Sequence, residues 1–178
     1  MTSSPAILNA DPVLDLHRLQ EIYDLDATSP ERDDVLQSIL EEATGALDMP
    51  VGLVCVVLDS AQFFPAMHGA GGWIAEVRGT PNEWSFCINV VRSGEPFVVC
   101  NGVEHPQGCC NPVVLHDQVH AYAGVPLRTS RGHILGSFCV IDVKPREFSD
   151  KEIEALHGWA DQAAARLEER RGRKRVGA

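Results

Sequence analysis

The clearest alternation of apolar and polar positions lies in the last third of the chain. Runs 119–128 and 133–143 are apolar and β-branched, and the polar turn 129-TSRG-132 between them predicts a hairpin. The following helix opens on Ser149 with Glu152 three residues on, the spacing of a capping box. Ile153, Leu156, Ala160, Ala163 and Leu167 then recur at intervals of three and four. Such a stripe suits docking on a sheet or pairing with the same helix of a second chain.

Upstream, a first helix over about 12–24 is predicted to present Leu16, Leu19, Ile22 and Tyr23 on one side. The segment 24-DLDATSP-30 breaks it, and Ser29 with Pro30 reads as the cap and first turn of a second helix reaching about Leu47. Val35, Leu36, Ile39, Leu40, Ala43 and Leu47 should face its core. The run 51-VGLVCVVL-58 is continuously apolar, as expected of a strand covered on both faces. In the next strand, about 62–68, Pro65 marks an edge or a bulge. A long Gly-containing connection at 69–84 leads to a short helix over 85–93, which Gly94 ends. Strand 96–100 precedes a second irregular stretch, 101–118. This divides the chain into a loose start (1–11), one domain (12–168) and a basic tail (169–178).

At 178 residues with 44% apolar content, the chain supports one packed domain of α+β type. It holds no apolar run of the roughly 20 residues that a membrane span needs, and no secretory leader is visible. A cytoplasmic location is therefore expected. The net charge is −10, and the basic end 166–178 carries +4 of its own, so the body is strongly acidic. That balance argues against nucleic-acid binding by the body and treats the tail as a solvated helix end. Six cysteines without a leader should be free thiols, with Cys55 and Cys139 as small core residues; no C-x-x-C occurs.

The segments 62-QFFPAMHG-69, 85-SFC-87, 94-GEPFVV-99, 111-NP-112, 122-YAGVPLR-128, 135-LGSFCVID-142 and 145-PREFS-149 keep an order and spacing that resembles bacterial GAF domains of signalling proteins. The resemblance covers about Leu14 to Arg166. It implies a PAS-related antiparallel sheet with its first and last strands central. The terminal helices would lie on one face and pocket-forming loops on the other. Such domains commonly bind a small molecule or chromophore, or dimerise, and pass the result to an output domain. No kinase, phosphatase, cyclase or DNA-binding segment follows Arg171. The expectation is thus a domain that acts through a signalling partner, or one that is itself an enzyme.

Three specialisations of the family are testable by residue. No cysteine precedes a histidine, which argues against a covalent bilin, and the N-K…F…D-E motif of cyclic-nucleotide binders is absent. Free methionine sulfoxide reductases resemble this chain in size and carry cysteines around the pocket, but their acidic last-strand pattern is replaced here by 139-CVID-142. Phe64, Trp73, Trp84, Phe86, Cys87 and Tyr122 are the expected lining of a mostly apolar pocket, with His68, His105 and Asn111 as polar handles. Cys87, Cys109 and Cys110 are the redox candidates. His105, Cys109, Cys110, His116 and His120 form the weaker metal candidate set, against a bland reading as a polar loop. The expected role is sensing of an unidentified small molecule or of redox state, as a homodimer. The alternatives are a thiol-dependent reductase and an interaction module without ligand; the cofactor is left unknown.

Overall fold

The computed structural model describes residues 10–172. The first nine residues of the expected loose start, and positions 173–178 of the basic tail, lie outside the described residues. Six strands form one antiparallel sheet: β1 (Val51–Val57), β2 (Ala61–His68), β3 (Gly79–Pro81), β4 (Phe97–Val99), β5 (Ala121–Arg128) and β6 (Ile134–Asp142). Their order is β3-β2-β1-β6-β5-β4, so the first strand and the last lie side by side at the centre. Leu53 faces Cys139 and Val56 faces Gly136 across that central pair. The two backbones approach closely at Gly136, where an added Cβ would stand 1.9 Å from the Cys55 carbonyl oxygen.

Both faces of the sheet are covered, as the unbroken apolar run of β1 predicts. Val54, Val56, Phe138 and Val140 point to one side, where α1 (Leu16–Asp24), α2 (Asp34–Leu47) and α6 (Asp150–Glu168) pack. Leu53, Cys55, Val57 and Cys139 point to the other. Helix α6 carries the expected capping box between Ser149 and Glu152. Leu156, Ala160, Ala163 and Leu167 are buried and Ile153 packs at their edge, all within the core against the sheet. The stripe is therefore used inside the chain rather than offered to a second copy.

Two helix starts differ from the sequence expectation. Helix α2 begins at Asp34, not at Ser29–Pro30, because the Asp33 carboxylate accepts from the Val35 and Leu36 N–H groups. That carboxylate is anchored in turn by Arg166 and Arg170 of the C-terminal segment, at 3.0 and 2.7 Å. Val35 consequently points outward, while Leu36, Ile39, Leu40, Ala43 and Leu47 are buried as expected. On α1, Leu16 and Tyr23 are 78% and 65% exposed, and Leu19 is only partly buried. The side toward the sheet is occupied by Ile22 and two charged residues, Arg18 and Glu21. The Arg18 guanidinium donates to the carbonyls of Pro12 and Val13, of Val57 at the end of β1, and of Ile134 and Leu135 at the start of β6. Glu21 accepts from Arg131 and Arg171. Arg170 and Arg171 are thus docked, where the sequence expects a solvated tail.

The connection 69–84 is more ordered than expected. It contains α3 (Gly72–Val77), β3 and a 3-10 turn (Asn82–Trp84). Helix α4 (Cys87–Ser93) follows and ends at Gly94 in the left-handed region, as predicted. In 101–118 a short α5 (Pro112–Leu115) interrupts the turns. Pro65 does lie in a bulge: Phe64 and Pro65 together oppose Cys55, between the pairs Val54–Ala66 and Val56–Phe63.

Two stability outcomes follow from this packing. Burial pushes the Asp33 carboxyl up, but the Arg170 guanidinium, the Leu36 N–H and Arg166 outweigh it and draw its pKa down to about 2. A carboxylate lowered in the folded state stabilises above its unfolded pKa of about 4 and loses that contribution as pH falls toward 2. Urea unfolding from pH 6 to pH 2 should show about 2 kcal/mol disappearing across that window in the native chain but not in Asp33→Asn. Gly136→Ala should part β1 from β6 and cost more than about 3 kcal/mol. An unchanged thermal midpoint for Gly136→Ala would show that the central pair has room to spare.

Candidate functional site

The face of the sheet opposite the three long helices is roofed by α3, α4 and α5 and their connections. Between roof and sheet lies a cavity of about 60 Å³, lined by residues that include Phe64, Trp84, Phe86, Cys87 and Tyr122. These are five of the nine residues that the sequence assigns to a pocket. The space holds a few water-sized groups and falls far short of the roughly 300 Å³ of an ordinary organic-ligand site. Phe86 accounts for much of the filling, packing on Phe97 and Tyr122 with ring centroids 6.2 and 5.4 Å apart.

The other four residues lie elsewhere, each for a physical reason. The bulge at Phe64–Pro65 shifts the alternation of β2 by one, so Ala66 joins the helix-side core while Met67 packs on the pocket side. His68 therefore turns away from the cavity, its Nδ1 4.0 Å from Glu41 on α2. Trp73 is 41% exposed and meets Trp84 edge-on from outside, its indole N–H donating to Asp117. His105 stands edge-on against Phe86 and Phe97 and supports the wall from behind. Asn111 is a staple: its Oδ1 caps α5 at the Val113 N–H, and its Nδ2 donates to the Trp84 carbonyl.

Beneath the apolar lining is a buried polar network that the sequence reading missed. Gln62 Nε2 donates to Thr80 Oγ1 at 2.6 Å, and Gln62 Oε1 accepts from Ser85 Oγ at 2.7 Å and from the Cys55 thiol at 2.9 Å. Tyr122 OH donates to Cys87 Sγ at 3.3 Å and lies 3.3 Å from Ser137 Oγ. Cys87 Sγ and Cys139 Sγ are 4.0 Å apart. Tyr122 can lie along its own strand because Gly124 has no side chain; a Cβ there would stand 2.1 Å from the phenol oxygen. The one signal available beforehand was polar: Gln62 and Ser137 sit in otherwise apolar strands, on the face where a core side chain belongs.

Cys55 and Cys139 are core residues as expected, and they join Cys87 in one buried thiol cluster. Hydrogen bonding from the Cys139 thiol, and from the Ser137 and Tyr122 hydroxyls, draws Cys87 down against the opposing effect of burial. Burial pushes Cys55 up, and the Cys87 hydrogen bond together with burial raises Cys139. The loop cysteines are different. Cys100, Cys109 and Cys110 are exposed, and Cys109 Sγ lies 3.6 Å from Cys110 Sγ. The Cys110 thiol raises Cys109 through a hydrogen bond, the opposite of activation. His105, Cys109, Cys110, His116 and His120 are not brought together as a metal set: among the described residues no cluster of three or more such ligands could hold an ion. Beside the cavity, a polar groove of about 480 Å³ runs open along Asp11, Asp59, Glu83, Asn89, Arg92 and Gln107.

The GAF domain family model matches residues 31–167. A cyclic di-GMP phosphodiesterase of Pseudomonas aeruginosa is 32% identical over 137 residues, which make up 76% of this chain; the chain therefore spans only 22% of that enzyme. Among solved structures, the GAF domain of a phosphoenolpyruvate-protein phosphotransferase from Coxiella burnetii is similar with a TM-score of 0.68 at 17% identity, over 93% of this chain and 99% of that one. The type II free methionine-R-sulfoxide reductase from Thermoplasma acidophilum gives 0.62 at 13%, over 84% and 95%. The blue-light-absorbing GAF domain of PixJ from Thermosynechococcus elongatus gives 0.62 at 16%, over 89% and 93%. At these identities the structural likenesses speak for the fold alone. With the family model spanning most of its length and the sheet order that the fold requires, this chain belongs to the GAF domain family.

Proposed function

We propose that this chain is a sensory module whose input is a small guest in the cavity beneath α3, α4 and α5. Its output passes through the helices on the far side of the sheet. The observation that carries the reading is the cavity itself, placed against a polar network that a guest would perturb. Its volume of about 60 Å³ favours a guest of a few atoms over an organic cofactor. Occupancy shifts a signalling equilibrium only through different affinity for two arrangements of the cover. The covering segments 69–84 and 101–118 are the parts able to supply those arrangements. The likeness to a cyclic di-GMP phosphodiesterase supports an output in signal transduction, through an attached or separate partner. Among the described residues no helix is long and apolar enough to cross a membrane, which accords with a cytoplasmic place of action.

We further propose that the module works as a homodimer through its terminal helices, with Leu16 of α1, 78% exposed, as an apolar contact. A second reading, a thiol-dependent reductase, is favoured by one observation, the exposed Cys109–Cys110 pair at 3.6 Å.

Xenon under pressure is a suitable probe of a small apolar space. Methyl resonances of Leu53, Val113, Val119 and Ile141 should shift on its addition, with smaller shifts at Val54, Val140 and Leu156 across the sheet. Silent lining methyls would mean a solid interior and would leave the chain an interaction module without ligand. Light scattering checks the assembly: the native chain should have the mass of a dimer, and Leu16→Glu that of a monomer.

A further inference from the structure

The buried thiols form a cluster that the sensing role as stated does not yet use. Cys87 sits in the first turn of α4 and is part of the cavity wall; Cys139 lies behind it on central strand β6 and does not line the cavity. Cys55, on β1, completes the cluster from the side. We propose that Cys87 and Cys139 are a redox pair that a peroxide-class oxidant converts to an internal disulfide, tying the roof helix α4 to the centre of the sheet. This deepens the sensing role by naming the chemistry of the guest.

Three observations support the assignment. The first is reach: the sulfurs are 4.0 Å apart, and a disulfide requires about 2.05 Å, so about 2 Å of closure is needed. Rotation about the two Cα–Cβ bonds, which swings each sulfur, and a small settling of α4 supply it. The second is order of reaction. Cys87 meets whatever enters the cavity, whereas Cys139, 0% exposed, meets only Cys87 and its neighbours. The third is selection by size. Ile74, Trp84 and Val119 form half-buried parts of the cavity wall, so the space lies one side chain below the surface. Its volume admits hydrogen peroxide and excludes a tripeptide disulfide such as oxidised glutathione.

The chemistry balances in two steps. The Cys87 sulfur, as thiolate, attacks one peroxide oxygen. The O–O bond breaks, an S–OH forms, and the departing hydroxide leaves as water with the proton that Cys87 gave up. Hydroxyl donation from Tyr122 favours the thiolate needed for this step. The Cys139 sulfur then attacks Cys87 Sγ. The S–O bond breaks, the S–S bond forms, and the hydroxyl leaves as a second water with the Cys139 proton. Two thiols are oxidised by two electrons and one peroxide is reduced to two waters.

The test uses the full chain with the exposed thiols removed, Cys100→Ser/Cys109→Ser/Cys110→Ser, which leaves the buried cluster intact. After hydrogen peroxide, denaturation and alkylation, peptide mass mapping without reductant should find the Cys87 and Cys139 peptides linked. Dithiothreitol should release them, and oxidised glutathione at the same concentration should give no link. Adding Cys139→Ser should leave Cys87 as a sulfenic acid captured by dimedone, and adding Cys55→Ser should leave the link in place. Cys87 still fully alkylatable after peroxide in the folded triple variant overturns the proposal. So does a link from Cys87 to Cys55, or equal reaction with oxidised glutathione. A missing link while xenon still shifts the lining methyls removes the thiol chemistry and spares the sensing role. Silent methyls remove both.

Discussion

The antiparallel pairing of β1 with β6 is the constraint from which the rest of this molecule follows. It joins residues 51–56 to 136–141 and so closes about half of the chain into one loop, at an entropic cost that only long-range burial can offset. Once formed, it places the helices that precede β1 and the helix that follows β6 on the same face. It also sets Leu53 opposite Cys139 and Cys55 opposite Ser137, which brings two cysteines from distant strands diagonally together under the roof. The smallness of Gly136 is what permits the close approach at this seam.

The sheet separates two interiors of different chemistry. The helix side is an apolar core of Leu, Ile, Val and Ala with Phe138, closed at its rim by Asp33 and Glu21 and their arginines. The pocket side mixes aromatic rings with an amide, three hydroxyls, a phenol and three thiols, largely bonded to one another. A buried polar network that is satisfied internally favours one arrangement of its members, and disturbing any of them is felt by the others. The proposed sensing role places the input on this side of the sheet and the output on the other.

Much of the fold was legible because its signals are local or strictly periodic. The capping box at Ser149, the Gly94 stop, the β1 run and the 129–132 turn each act within a few residues. What was not legible depended on distant partners. Ser29–Pro30 is as good a local start as Asp33, and the choice is made by Arg166 and Arg170 from the far end of the chain. The apolar stripe of α1 is split, with Ile22 buried and Leu16 and Tyr23 exposed, because carbonyls at the ends of β1 and β6 recruit Arg18 to the inner side. His68 was misplaced by a one-residue bulge that Pro65 announced without giving its direction. The aromatic lining of the site was readable as a list, but how completely those rings fill the space is a sum over volumes that no motif encodes.

The grip of Arg18 has a mechanical side. A single buried guanidinium ties the turn at residues 12–14 to the ends of both central strands. One side chain of α1 thus couples the position of that turn to the place where both central strands meet the helix layer.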